Sequence, residues 1–353
     1  MRITGMPLTS HSLDMVAMHA QSYTFDPRPH YPLLLSANRY WDPTSPHLDD
    51  PTATTLIFTH GTGFHKEQIE PTIQDLYNLV PIDGSKIRDI WSIDSPNHGD
   101  SAVLNERALQ SGYEPFEWQL YPRAVHALLA GLGTGIDVDF SKRRLVLIGH
   151  SMGAIANVFA LSYQPVLEPE FLIMIEIMSG ATFPQLQNLL SAASTSRHDI
   201  WQSRAEAYRM LKARRLWRSW DDRVLRIFVE KGMRPLPTLE YPDKEGITLK
   251  CTRKQETATY QSGPAGLTLD SLVNSTVQRF PTHFIVGCVN DHLPRAVKNV
   301  SFANSEEDVQ NLASFTRIPD AGHLMVQTHP TALAKALLDV LTKERDKLLQ
   351  AKL

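Results

Sequence analysis

Runs of Val, Ile, Leu and Phe without strict alternation recur along the chain, with helically spaced stretches between them. Met15–Tyr23 and Pro32–Tyr40 read as an opening antiparallel pair of strands. Thr55–Thr59, Ile87–Ile93, Arg144–Ile148, Phe171–Met178, His283–Val289 and Ser314–Ile318 read as six more. Unalternating apolar runs mark strands covered on both faces. Strands that alternate with helices predict a mostly parallel sheet with right-handed crossovers. The pattern therefore predicts an α/β fold: a mostly parallel eight-stranded sheet flanked by helices, with its site beyond the carboxyl ends of the strands.

The alternation stops between Ser179 and Phe280, a separation far longer than an ordinary connection. Asp199–Trp220 is helical in pattern and dense in Arg and Trp, and Pro235, Pro237 and Pro242 follow it. The expectation is a core formed by residues 1–178 and 281–353, with residues 179–280 inserted between the sixth and seventh strands as a mainly helical lid. Thr331–Gln350 predicts a closing amphipathic helix with Leu333, Leu337, Val340 or Leu341, and Leu348 on one face.

The chain has 353 residues, of which 42% are hydrophobic and 21% charged, and its formal net charge is −3. That charge gives no electrostatic reason to expect a nucleic-acid partner. Cys251 and Cys288 have no CxxC spacing and form no disulfide framework. The histidines show no HxH or HExxH spacing, so neither a metal nor another cofactor is expected. The N-terminal stretch lacks the apolar run of a secretory signal, and no apolar run is long enough for a transmembrane segment. The final residues, Ala351-Lys352-Leu353, are a conservative variant of the Ser-Lys-Leu address. The expected location is therefore the peroxisomal matrix, with the import receptor as a partner.

The chemistry concentrates where Leu145-Val-Leu-Ile-Gly-His-Ser-Met-Gly-Ala154 runs from strand to helix through G-x-S-x-G. Small residues two positions either side let the chain fold back sharply and present the Ser151 hydroxyl. The Met152 N–H opens the following helix, where the dipole favours negative charge, and is a candidate oxyanion donor. Thr59-His60-Gly61-Thr62-Gly63 ends the third strand. There the Thr62 N–H is the second candidate donor, with Gly63 behind it, and His60 reads as a packed loop residue. A serine hydroxyl needs an adjacent base. In Ile318-Pro-Asp-Ala-Gly-His323, His323 follows the last strand and Gly322 lets the loop turn, so His323 is the candidate base. His329, just before Pro330, reads as structural.

Two carboxylates compete to orient that imidazole. Asp291 lies just past the seventh strand, in the usual position for the acid, although the common spacing falls on Asn290. Glu176 sits inside the apolar Ile173-Met-Ile-Glu-Ile-Met178, where an ionisable group is costly unless paired. It reads either as the partner of His323 or as an ion pair with an arginine of the inserted segment. Asp291 is the first choice and Glu176 the alternative.

Together these residues resemble the α/β-hydrolase superfamily over nearly the whole chain. A narrower resemblance is to fungal peroxisomal serine hydrolases, a group that includes yeast peroxisomal lipase and hydrolases of AK-toxin-type host-selective toxin biosynthesis. It rests on His60-Gly-Thr-Gly-Phe-His-Lys-Glu67 with Glu70-Pro71, on Asp94-Ser-Pro-Asn-His-Gly-Asp-Ser101, on Trp220–Leu225 and on Leu249–Arg253. The resemblance implies a peroxisomal hydrolase in secondary metabolism; the Asn290-Asp291 spacing departs from it.

Arg204, Arg209, Arg214, Arg215 and Arg218 read first as a solvated helix face and second as a basic mouth for anionic substrates. Trp201, Tyr208, Trp217 and Trp220 read as the core of the inserted segment before they read as an acyl pocket. The expected activity is hydrolysis of a hydrophobic acyl ester or thioester through an acyl-enzyme on Ser151. An acyltransferase using the same triad and a non-catalytic ligand-binding homologue are the alternatives.

Overall fold

The computed structural model describes residues 18–80, 84–113, 115–177, 183–263, 266–289 and 311–351. The large sheet contains β1 (His19–Phe25), β2 (Leu35–Trp41), β3 (Thr54–Thr59), β4 (Ile87–Ile93), β5 (Arg144–His150) and β6 (Phe171–Ile175). A 3-10 turn, Lys66–Ile69, and α1 (Glu70–Leu79) follow β3. Helices α2 (Gly99–Leu104), α3 (Glu106–Gly112) and α4 (Leu120–Leu129) separate β4 from β5, and α5 (Met152–Ala160) separates β5 from β6.

Beyond β6 come α6 (Phe183–Ser196), β7 (Ile200–Trp201), α7 (Arg204–Lys212), α8 (Arg215–Arg218), α9 (Asp222–Lys231), β8 (Met233–Pro235), β9 (Ile247–Leu249), α10 (Arg253–Ser262) and α11 (Gly266–Arg279). The large sheet then resumes with β10 (Thr282–Gly287) and β11 (Ser314–Ile318), and the chain closes with α12 (Met325–Thr328) and α13 (Pro330–Gln350). Strand order in the large sheet is β1-β2-β4-β3-β5-β6-β10-β11. β2 runs antiparallel to both of its neighbours, and all the other pairings are parallel.

Successive side chains of the central strands enter different cores, which is why their sequences do not alternate. Leu145 and Leu147 of β5, with Leu172 and Met174 of β6, pack beneath α4, α5 and α11. Val146 and Ile148, with Phe171, Ile173 and Ile175, pack against α1 and α13 on the other face. All nine residues of α5 are buried, so the helix behind the serine is fixed on every side.

Several element boundaries differ from the sequence expectation, three of them next to the serine turn or in the inserted segment. β6 ends at Ile175 rather than Met178, because Glu176 adopts φ 50 and leaves the extended conformation. β10 ends at Gly287, after which Val289 N–H bonds to Ala321 C=O of the histidine loop at 2.9 Å. In the inserted segment, Asp199–Trp220 is not continuously helical: Ile200–Trp201 forms a strand, and a three-stranded antiparallel sheet, β7-β9-β8, stands among the helices. α7 begins only where the Ser203 side chain accepts the Glu206 N–H. On α13, Leu333, Leu337, Val340 and Leu341 are buried as expected, but Leu348 is 41% exposed because the helix runs past the core.

Candidate active site

β5 passes into α5 through a single residue, Ser151, at φ 53 and ψ −117. A side chain other than hydrogen on either flanking glycine would block this turn. A Cβ on Gly149 would fall 2.4 Å from the Ala154 backbone, and one on Gly153 would fall 2.1 Å from the Thr59 carbonyl oxygen. The Ser151 N–H donates to Ile175 C=O at 2.9 Å, which ties the turn to the end of β6.

His323 arrives on the loop between β11 and α12. Its Nε2 lies 3.1 Å from Ser151 Oγ and its Nδ1 lies 3.1 Å from Glu176 Oε2. All three side chains are buried. The other oxygen of Glu176 accepts the Gly287 N–H at 2.5 Å, so the carboxylate is held between β10 and the imidazole. An Nδ1–H donated to a carboxylate leaves the Nε2 lone pair facing the hydroxyl, the tautomer required of a general base. Glu176 thus meets His323, one of the two partners anticipated for it from the sequence. Asp291, the other carboxylate anticipated from the sequence, lies outside the described residues.

The loop after β3 approaches from the opposite side. A Cβ on Gly61 would lie 3.2 Å from Ser151 Cβ, so glycine allows this close approach. The Thr62 N–H has no acceptor among the described residues, and the Thr62 hydroxyl touches Met152 Sδ at 3.2 Å. Met152 is the first residue of α5, so its N–H has no intrahelical acceptor. The structure therefore brings Thr62 and Met152 side by side, and neither N–H has an acceptor among the described residues. The Gly63 N–H, by contrast, is engaged: it donates to His98 Nε2 at 2.9 Å.

Three imidazoles pack at this loop: His98 and His150 are buried, and His60 nearly so. His60 Nδ1 bonds Gly61 C=O at 2.8 Å and its Nε2 accepts the Ser95 N–H at 3.0 Å, a packing role as the sequence suggested. Burial pushes its pKa down to about 3. Burial also pushes His150 down to about 3, and its Nε2–H donates to the His323 main-chain carbonyl at 2.8 Å. His98 is driven well below the ordinary range, again by burial.

Behind them, the Lys66 ammonium contacts Glu67 at 2.7 Å, Asp94 at 3.1 Å and Asp100 at 2.6 Å. Burial pulls its pKa down, but the attraction of Asp94, Glu67 and Asp100 outweighs this and holds it above the ordinary range. His98, His150 and this ion network were not assigned as site residues from sequence. His98 and the ion network fall within His60–Glu67 and Asp94–Ser101, the segments that carry the narrower resemblance, whereas His150 had no signal beyond its place beside the serine.

Trp201 and Trp220 pack with Phe228 in the core of the inserted segment, and the Trp217 ring centroid lies 4.4 Å from that of Trp220. Phe64 packs edge-on to Trp220, with ring centroids 5.9 Å apart, so this core reaches the loop after β3. His329 caps α13 and bonds Thr328. Ala351 ends α13, while Lys352 and Leu353 lie outside the described residues. Among the described residues, no cluster of His, Cys, Asp and Glu side chains is arranged to hold a metal ion, and no helix is long and apolar enough to cross a membrane.

The sheet order, the serine turn and the histidine loop define a hydrolase-type α/β architecture, and the alpha/beta hydrolase family model matches residues 56–336. The chain belongs to that family. It is 32% identical over 204 residues to the type I acyl-CoA thioesterase mpaH of Penicillium brevicompactum, a match covering 55% of this chain and 43% of the thioesterase. The match thus spans less than half the length of that curated relative. Among solved structures, the peroxisomal alpha-beta-hydrolase Lpx1 of Saccharomyces cerevisiae aligns over 95% of this chain and 90% of its own, with a TM-score of 0.66 at 20% identity. The thioesterase domain of the curacin biosynthetic pathway aligns over 91% of this chain and 99% of its own, with a TM-score of 0.58 at 16% identity.

Proposed function

We propose that this protein is a serine hydrolase that cleaves an ester or, preferentially, a thioester of a hydrophobic acyl group. One observation carries the reading: His323 Nε2 is 3.1 Å from Ser151 Oγ while His323 Nδ1 is 3.1 Å from Glu176. In the first step, His323 takes the Ser151 proton as Oγ attacks the acyl carbonyl. The amides of Thr62 and Met152 receive the oxyanion. His323 then protonates the departing thiolate or alkoxide, leaving an acyl-enzyme. In the second step, His323 removes a proton from water, the resulting hydroxide equivalent attacks the ester, and the carboxylic acid leaves as Ser151 regains its proton. Glu176 holds the imidazole tautomer and stabilises the imidazolium. The inserted segment, residues 179–280, acts as the lid, and its aromatic core shields the acyl chain from water.

The preference for a thioester is supported by similarity to acyl-CoA thioesterase mpaH. Assignment to the peroxisomal matrix is supported by the Ala351-Lys352-Leu353 tripeptide and by likeness to a peroxisomal hydrolase. A role in fungal secondary metabolism, such as toxin biosynthesis, follows from the narrower sequence resemblance.

The decisive experiment combines fluorophosphonate labelling with an ester and acyl-thioester panel, using wild type, Ser151→Ala, Glu176→Gln and Asp291→Asn. Labelling and turnover that vanish in Ser151→Ala are expected; equal labelling of Ser151→Ala, or none of wild type, refutes the reading. A fluorescent fusion with and without the last three residues tests the location. Diffuse signal from the intact fusion removes it.

A further inference from the structure

The Gly63 amide is held by an imidazole whose own state is dictated from the inserted segment. Asn97 Nδ2 donates to the main-chain carbonyl of Gln255, at 3.2 Å, and to Thr259 Oγ1, at 2.8 Å; both residues belong to α10. A main-chain carbonyl can only accept, so it fixes which end of the Asn97 amide faces α10. Asn97 Oδ1 must then face the other way, where it accepts from Ser95 Oγ at 3.0 Å and from His98 Nδ1 at 2.7 Å. His98 is thereby a neutral Nδ1–H tautomer, and its Nε2 has a lone pair to offer. That lone pair receives the Gly63 N–H at 2.9 Å. Asn97, His98 and Thr259 are all buried, so water does not compete for these bonds.

Gly63 is at φ 83, adjacent to Thr62, and its Cα faces the Glu256 carboxylate of the same helix. With the Gly63 N–H bound to His98 and the Gly61 carbonyl bound to His60, the loop is held on both sides of Thr62. Between these two anchors, the Thr62 N–H has no acceptor among the described residues.

We infer that His98 is a positioning residue through which the inserted helix α10, by way of Asn97, sets the loop that carries the Thr62 N–H. This rests on the reading of Thr62 as an oxyanion donor. A helix of the inserted segment thus controls whether the donor is in place for the transition state. Displacing α10 removes the acceptors of Asn97, frees its amide to turn, and releases the Gly63 N–H.

Amide hydrogen exchange of the full-length protein tests the tether without any need for turnover. In His98→Leu and Asn97→Leu, the Gly63 amide should lose protection by roughly tenfold or more. In His98→Gln, whose carbonyl can again accept the Gly63 N–H, protection should largely return. In parallel, kcat on an acyl thioester should fall by about 10–100-fold in His98→Leu, with KM changed less than about twofold, as befits a donor used mainly in the transition state. His98→Gln should recover most of kcat. Unchanged Gly63 protection in both leucine variants overturns the inference, as does lost protection with unchanged kcat. If wild type turns over no acyl substrate yet Gly63 protection follows the expected pattern, the hydrolase reading falls and the tether stands.

Discussion

Replacing Glu176 by Gln removes one charge with almost no change of shape, and the surrounding bonds dictate how the new amide must sit. The Gly287 N–H donates to one oxygen of Glu176 at 2.5 Å. The amide oxygen of the glutamine must take that position, which turns its NH2 toward His323 Nδ1. Nδ1 then accepts, and the imidazole proton moves to Nε2, where it faces Ser151 Oγ and cannot receive the serine proton. The variant also loses the attraction between imidazolium and carboxylate. Across 3.1 Å, at an effective dielectric constant of about 20, that attraction is about 5 kcal/mol, or between three and four decades of rate. We expect kcat for thioester hydrolysis, followed by thiol release, to fall roughly 10³–10⁴-fold with an unchanged circular dichroism spectrum. Retention of more than about a tenth of wild-type kcat, together with a collapse in Asp291→Asn, would transfer the role to Asp291.

Gly153→Ala places a methyl 2.1 Å from the Thr59 carbonyl oxygen, so the start of α5 must retreat by roughly 1 Å; about 3 kcal/mol of stability and at least about 10²-fold in rate should be lost. A full-rate Gly153→Ala enzyme would show that the turn tolerates the crowding. His60 and His150 are each held at about 3 when folded but titrate near 6.5 when unfolded, so the unfolded chain binds more protons between those values. Stability should therefore fall as pH drops below about 6.5, by about 4 kcal/mol for the pair between pH 7 and pH 5; equal urea midpoints at the two pH values would refute it. Lys66→Met strands Glu67, Asp94 and Asp100 around a missing cation and should cost about 3–5 kcal/mol in urea unfolding, part of it recovered by adding Asp94→Asn. A stable single variant would mean that those carboxylates take up protons at no cost.

The strands were readable because both faces of the sheet are covered, and Leu145–Ile148 and Phe171–Ile175 are apolar at every position. The serine turn was readable because its two glycines answer a local steric demand. His323 was readable from its place after the last strand. What sequence left open depends on partners distant in the chain. Glu176 and Gly287 meet only because β6 and β10 are neighbours. His98 and Gly63 meet only because two loops converge above the sheet, and neither residue carries a local sign of the bond. The β7-β9-β8 sheet was missed because its strands are two or three residues long, too short for periodicity to register.

The contact between Glu176 and Gly287 has a consequence for how such a protein diversifies. The long excursion from Ile177 to Pro281 departs immediately after one of these residues and returns just before the strand that ends in the other. Besides the side-chain bond, the Glu176 N–H bonds Ile285 C=O at 3.0 Å. The excursion is therefore pinned shut at its root, like a loop of thread drawn through a knot, and the proton-handling groups sit in the knot. Changes further out on the thread leave this knot closed, but α10 also reaches the Thr62 loop through Asn97 and His98, so substrate choice can drift across descendants most freely where the thread touches neither.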